Sequence, residues 1–428
     1  MNTKKAIAIF LIVAITALSG CTAGGPPESG QQSSSESGGQ GGGSATGAQL
    51  LTSMYGNYRD TPGNGGFYEV VYPRKTSANI TYIDYVTQTR TYLCSSPDCS
   101  HDHEGCNSWV PGTGGCSLFM NPAKTKLFLV QHNSPQTGVP STLSVMEPDG
   151  SNARLLHEFQ PDEAFMVDEA CAGDSENLYF AVNLAHQSKK QLRQFNITTG
   201  EMETLMEYGY RTWLMGAYDD QLIIVSLDMG ASEYIYTAFS LADHTQREFY
   251  RFGFSPSGWQ WGPIARCHKD KLYIVEPSAA GDYTADIIRM DIASGQKETL
   301  YQGMPYYSLD GTFVYDFVDD HMIISVSYNI AGYENVELSR YALDCSTTQF
   351  FELTLTYPSE EGLPFPTFIA AVGSYGDYYL VETEAKEEWM IIDGDAYQIM
   401  GTFYSLILKD DYWSNQANYI PIADTVLP

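Results

Sequence analysis

From Gly66 onward the chain alternates short runs of β-branched and aromatic residues with tight polar turns, and long helical periodicity is nearly absent. One unit can be read directly. Ala217-Tyr218-Asp219-Asp220-Gln221-Leu222-Ile223-Ile224-Val225 is a polar turn followed by an apolar strand. Cys267-His268-Lys269-Asp270-Lys271-Leu272-Tyr273-Ile274-Val275 and Phe317-Val318-Asp319-Asp320-His321-Met322-Ile323-Ile324-Ser325 repeat it. Weaker copies begin at Gly173 and Gly376. A second half-unit follows in the clearer cases, with a Thr-Gly or Ser-Gly turn between two alternating runs: Leu192 to Leu205 through Thr199-Gly200, and Ile288 to Leu300 through Ser294-Gly295.

The Gly200 and Gly295 turns stand two repeats apart, with a degenerate turn at His244-Thr245 between them and another at Thr347-Thr348. The period is therefore about 50 residues, in the range of propeller blades. Counting turns near Thr89, Gly150, Gly200, His244, Gly295, Thr347 and Asp411 predicts an all-β chain folded as a single seven-bladed β-propeller. Six or eight blades are the alternatives, because the turn near Asp411 is the weakest. A pair of β-sandwiches is a second architecture, and the near-constant period disfavours it. Met146-Glu147-Pro148-Asp149-Gly150-Ser151-Asn152-Ala153-Arg154-Leu155-Leu156 looks like the blade-end turn of TolB-like β-propellers. The Thr199-Gly200-Glu201 turn resembles those of related bacterial propeller families. This resemblance spans most of residues 65–425 as degenerate repeats; it implies a fold and leaves function open.

The first residues change the picture of where such a ring lives. Lys4 and Lys5 precede an apolar run from Ala6 to Leu18, broken only by Thr16. That run is shorter than the about 20 residues a bilayer requires and suits an export signal. Leu18-Ser19-Gly20-Cys21 resembles the lipobox of bacterial lipoproteins, in which the cysteine carries lipid and becomes the new N-terminus. Residues 1–20 are accordingly read as a lipoprotein signal peptide, and 21–49 as lipidated Cys21 plus a disordered Gly/Ser-rich tether. Residues 50–428 are read as the propeller. Such a tether has a reach of roughly 30 Å. The expected location is the extracytoplasmic face of the cell membrane, held by lipid. With 23 Lys+Arg against 52 Asp+Glu the net charge is −29. Acidic residues are spread along the chain, so the surface is solubilising and nucleic acid is not an expected partner.

Candidate chemistry concentrates in Leu93-Cys94-Ser95-Ser96-Pro97-Asp98-Cys99-Ser100-His101-Asp102-His103-Glu104-Gly105-Cys106, with Cys116 further on. Thiolates and an imidazole at short spacing suit tetrahedral zinc. Cys94, Cys99, His101 and Cys106 would then form a closed, structural site. Disulfide bonding is the rival reading, favoured by export, and free thiols are the third. The segment also resembles a Cys-x-x-Pro-x-Cys-x-His stretch of uncharacterised lipoproteins of gut Firmicutes. Cys171, Cys267 and Cys345 lie beside predicted strands and read as small buried apolar residues.

Gly258-Trp259-Gln260-Trp261-Gly262 is a loop with two indoles, and Trp259 and Trp261 are the candidate ligand contacts, against simple loop packing. Asp219-Asp220 and Asp393-Gly394-Asp395 lack the full calcium-loop pattern and read as turns. No nucleophile elbow, phosphate loop or His-Glu-x-x-His is present. The leading expectation is a membrane-anchored ligand-binding or protein-interaction scaffold for a glycan, a peptide or an envelope protein. The alternatives are a propeller-type polysaccharide hydrolase or lyase, and a sensor or assembly factor. No catalytic residue is assigned, and enzymatic activity is the less favoured reading.

Overall fold

The computed structural model describes residues 47–426 except 53–58, 74–76, 95, 113–114, 133–138, 167–168, 185–188, 254–263, 279–283, 306–310, 331–332, 358–366 and 393–394. Cys21, Trp259 and Trp261 lie outside the described residues.

Seven antiparallel blades form a ring, a β-propeller. Blade 1 comprises Asp60–Pro62, Gly66–Val71, Ser77–Asp84 and Thr89–Tyr92, with Trp109–Pro111 also on its outer edge. Blade 2 runs Gly115–Met120, Leu127–His132, Thr142–Met146 and Arg154–Glu158. Blade 3 has Cys171–Gly173, Asn177–Leu184, Lys189–Asn196 and Met202–Gly209. Blade 4 is Thr212–Tyr218, Gln221–Asp228, Glu233–Ser240 and Gln246–Gly253. Blade 5 follows as Ile264–His268, Lys271–Pro277, Thr284–Asp291 and Lys297–Pro305. Blade 6 consists of Gly311–Val318, His321–Ile330, Tyr333–Asp344 and Phe350–Leu353. Blade 7 closes the series with Ala370–Tyr375, Tyr378–Ile392, Asp395–Leu408 and Ile420–Pro421. First strands touch at the junctions of blades 1 and 2, 3 and 4, 4 and 5, and 7 and 1, which places them at the hub. Among the described residues the single α-helix is Lys409–Trp413, and no helix is long and apolar enough to cross a membrane.

The turns explain why the repeat was readable. Asp219, Lys269, Asp319 and Gly376 open the hairpins between first and second strands with φ of 56°, 54°, 50° and 55°. Left-handed backbone at that position matches the twist of paired strands. Gly150, Gly200, His244, Gly295 and Thr348 serve the third-to-fourth hairpins, again at positive φ. Six of the seven blade-end turns counted from the sequence are third-to-fourth hairpins of this kind, and near Asp411 the helix Lys409–Trp413 takes the place of the seventh. Asp219-Asp220 is a turn, as expected.

Successive side chains on a strand point to opposite faces, and here both faces are buried. Leu222 and Ile224 pack toward blade 3, whereas Ile223 and Val225 pack toward blade 5. Tyr68 and Val70 meet blade 2, and Phe67 meets blade 7. The core is thus seven apolar wedges, one per blade interface.

The chain enters through the hub. Gln49–Thr52 pairs antiparallel with Cys171–Gly173 and touches the first strands of blades 2 and 4. Ala48 is buried, and its N–H donates to the Asp219 carbonyl at 2.6 Å. A Cβ on residue 47 would lie 2.7 Å from that carbonyl oxygen, so only glycine fits. Gln49, the last residue of the segment read as tether, begins this docked strand, and Gly47 and Ala48 lead into it.

Blades 7 and 1 meet at the closing seam. Phe67, Ile83 and Tyr85 pack there against Val372, Leu380, Tyr404, Leu406 and Ile422. Arg90, fully buried, donates to Glu69, to Asp424 Oδ2 at 3.0 Å and to the Thr402 carbonyl at 2.9 Å. Its guanidinium lies 5.5 Å from the centre of the Tyr404 ring. Strand Ala423–Asp424 pairs parallel with Thr89–Arg90, adding the last strand of the chain to the first blade.

Glu382 stands two residues beyond Leu380, on the same strand face. Burial pushes its carboxyl up to about 8; the charge of Glu69 adds to this and Arg340 opposes it. A carboxyl raised in the fold stabilises below its unfolded pKa, and that stability is lost as pH rises through the folded value. The variant Glu382→Gln therefore gains stability over the wild type as pH rises from about 4.5 to about 8, by at most about 1.4 kcal/mol per pH unit. Urea unfolding of both proteins across that range checks it; a difference independent of pH would refute it.

Candidate metal centre

The outer strand of blade 1 is interrupted. Thr89–Tyr92 pairs with the second half of Ser77–Asp84, and Trp109–Pro111 pairs with its first half. Residues 93–108 leave the sheet between them. Both ends of this loop are tied to the same place. Leu93 N–H donates to the Ile80 carbonyl at 2.9 Å, and Ile80 N–H donates to the Ser108 carbonyl at 2.8 Å. The Ser108 hydroxyl donates to Ile80 O at 2.8 Å. The Asn79 amide donates to the His101 carbonyl at 2.9 Å and to Ser108 Oγ at 3.1 Å.

Within the loop, Cys94, Cys99, His101 and Cys106 bring their ligand atoms within 4.8 Å of one another. A tetrahedral ion with metal–sulfur bonds of about 2.3 Å holds its ligands about 3.7 Å apart. Shifts of about 1 Å close the group around an ion, so these residues could hold a metal. His101 Nδ1 stands 3.4 Å from Cys106 Sγ, and its ring stacks on Tyr92 at 4.3 Å. Left-handed backbone at His101, φ 56°, turns its N–H onto Cys99 Sγ at 3.4 Å. That bond is the largest influence lowering the Cys99 pKa. Burial pushes Cys106 up to about 12; a coordinated cation would override this and hold the thiolate.

His103 is the residue that sequence reasoning left without a part. Its Nδ1 accepts the Gly105 N–H at 3.1 Å, so the neutral ring carries its proton on Nε2, which lies 3.6 Å from Cys99 Sγ. Cys99 thus sits between two N–H donors. The available signal was the His-x-His spacing two residues after Cys99.

Cys116 stays outside the group. It is buried between blades 1 and 2, its N–H donates to the Tyr72 hydroxyl at 3.1 Å, and burial raises its thiol to about 11. Cys171 and Cys345 are buried in blade interfaces and Cys267 packs against one, as small apolar residues do. The seven described cysteines are free thiols in this structure.

A different buried cluster was not visible in the sequence. Glu169 accepts from Lys190 at 2.6 Å, from the Tyr208 hydroxyl at 3.0 Å and from Leu214 N–H at 2.9 Å. Lys190 also lies over the rings of Tyr208 and Trp213. These groups satisfy each other across the blade 3–4 interface.

No protein-family model matches the chain, and no curated protein matches it. Among solved structures, the chain is similar to an oligogalacturonate lyase in complex with manganese, at 12% identity over 86% of this chain and 92% of that one, TM-score 0.47. The β-propeller domain of the trilobed protease from Pyrococcus furiosus shares 11% identity over 82% and 97%, TM-score 0.46. TolB from Acinetobacter baumannii shares 13% over 80% and 76%, TM-score 0.35. At such identities and TM-scores these likenesses say nothing about activity.

The geometry would place an ion on these four residues and leave Cys116 out. Elemental analysis of purified protein is expected to find one tightly held divalent ion per chain, unchanged by Cys116→Ser and lost with Cys106→Ser. A metal-free protein with four titratable thiols in residues 94–116 would refute the assignment.

Proposed function

We propose that this chain is an extracytoplasmic propeller lipoprotein that serves as a ligand-binding or protein-interaction scaffold, with structural zinc at Cys94, Cys99, His101 and Cys106. One observation supports the reading: three thiols and one imidazole on the outer edge of blade 1 bring their ligand atoms within 4.8 Å of one another, the donor set of a closed tetrahedral site. Such a site has no open position for substrate, which is the mark of structural zinc. The cluster with the most chemistry therefore supports the ring. Zinc fits the donor set better than manganese or magnesium, which favour oxygen ligands.

Lipid on Cys21 supplies the attachment in this reading, and residues 22–46 the spacing from the membrane. The ring offers a broad face for a glycan, a peptide or an envelope protein, with Trp259 and Trp261 as its aromatic contacts. A polysaccharide hydrolase or lyase is the second function class, and the competing outcome of the test below.

Two measurements test the proposal. Cys21→Ala is expected to move the protein from the membrane fraction to the soluble one, and retention in the membrane would remove the anchor. Purified protein on a glycan and peptide array is expected to bind without turning ligand over, and binding is expected to weaken about tenfold or more when Trp259 and Trp261 both become alanine. Steady cleavage of an envelope polysaccharide would replace the scaffold with the enzyme.

A further inference from the structure

We propose that an ion bound by Cys94, Cys99, His101 and Cys106 locks the closing seam of the ring, so that metal binding and docking of the last strand are one coupled equilibrium. The inference rests on the zinc reading above and extends it from a local staple to the closure of the whole propeller.

The coupling runs through four residues. Strand Thr89–Tyr92 pairs on one edge with Thr81–Asp84 and on the other with Ala423–Asp424. The docked strand has few bonds of its own. Ala423 N–H donates to the Gln88 carbonyl at 2.8 Å, and Thr425 gives Arg90 O its N–H at 3.1 Å and its hydroxyl at 2.7 Å. Asp424 takes the Arg90 guanidinium at 3.0 Å. Every one of these partners is a residue of Thr89–Tyr92 or the residue just before it. Ala423–Thr425 therefore follow Thr89–Tyr92 on this edge, while Ile422, whose N–H donates to the Tyr404 carbonyl at 3.0 Å, holds the preceding residue to blade 7.

That template strand is short, and its placement depends on what holds its two ends. At the Gln88 end a turn is fixed by Asp84 Oδ1, which accepts the N–H groups of Val86 and Thr87 at 2.8 Å each. At the other end the strand runs within two residues into Cys94, and Tyr92 stacks on the His101 ring. Without an ion the donor set is held by weak sulfur contacts, such as 3.4 Å between His101 Nδ1 and Cys106 Sγ and 3.6 Å between Cys99 Sγ and His103 Nε2. An ion replaces them with four coordinate bonds that join Cys94 and His101 to Cys106, next to the Trp109–Pro111 strand. Both halves of the split outer strand are then fixed on Ser77–Asp84 together. Release of the ion leaves the Tyr92 end held by the Leu93 N–H on the Ile80 carbonyl and the ladder to Thr81–Asp84 alone, which loosens the Arg90 carbonyl that takes both bonds of Thr425.

Linkage makes this two-sided: the factor by which zinc favours strand docking is the factor by which docking favours zinc. The test uses the full chain with Zn²⁺, and with zinc removed by a chelator. Hydrogen exchange of the Ala423 and Thr425 amides is expected to slow about tenfold or more with zinc, while amides of Leu222 and Ile274 in blades 4 and 5 do not change. Asp424→Asn is expected to weaken zinc, measured by chelator competition, by a factor matching the loss of strand protection. Thr425→Val removes one bond to Arg90 O and is expected to act in the same direction by less. If zinc removal deprotects residues 93–108 but leaves Ala423 and Thr425 unchanged, the coupling is wrong and the zinc site stands. If added zinc alters neither segment, the site and the coupling fall together.

Discussion

The buried guanidinium of Arg90 is where the ring becomes a ring. Six blade interfaces join neighbours along the chain, and the connecting segments keep those neighbours close. The seventh joins residues more than three hundred positions apart, and no local connection helps it. Arg90 offers a planar fork with five donors. Three bonds from its two terminal nitrogens reach blade 1 through Glu69, blade 7 through the Thr402 carbonyl, and the last strand through Asp424. A buried charge deprived of its partner is costly by several kcal/mol. An unclosed ring would leave Arg90 facing that cost.

The apolar wedges supply most of the driving force and little of the choice. Leucines, isoleucines and phenylalanines from one blade would pack acceptably against many another blade. The buried charges are less permissive. At the blade 3–4 interface Glu169, already paired with Lys190 and Tyr208 of blade 3, also takes the Leu214 N–H of blade 4. Arg340 of blade 6 grips Glu337 with two bonds of 2.8 Å and reaches the Ile369 carbonyl beside blade 7 at the same distance. Apolar burial holds the blades together, and these few polar contacts make the wrong neighbours expensive.

What could be read from the sequence was what lies close together in it. Hairpins were legible because a residue at positive φ leaves a residue-type trace: Gly200, Gly295, Asp219 and Asp319 mark their own turns. Alternation of buried side chains was not needed to find the strands, since both faces are apolar and the runs are continuous. The Cys/His group was legible because its four members fall within thirteen positions, 94–106, and a loop closing on an ion needs little else. The seam was not legible. Nothing around Arg90 names Thr402 or Asp424, and an arginine in a strand reads as solvent-facing until its partners are placed. The hub strand was hidden for a different reason: Gly47 and Ala48 look like the rest of a Gly/Ser/Ala-rich stretch, yet small size is what lets them slip against Asp219.

That hub strand also decides how the fold carries load. Gln49–Thr52 lies along the inner edge of blade 3, with Ala48 anchored at the hairpin face of blade 4. A pull directed along Gln49–Thr52 acts along the strand, not across it. Its ladder bonds are strained together in shear and must break as a set, whereas an outer strand pulled sideways would unzip one bond at a time. The force also enters near the rotation axis of the ring and spreads to the blades on either side, as weight does on a wheel hung from its hub.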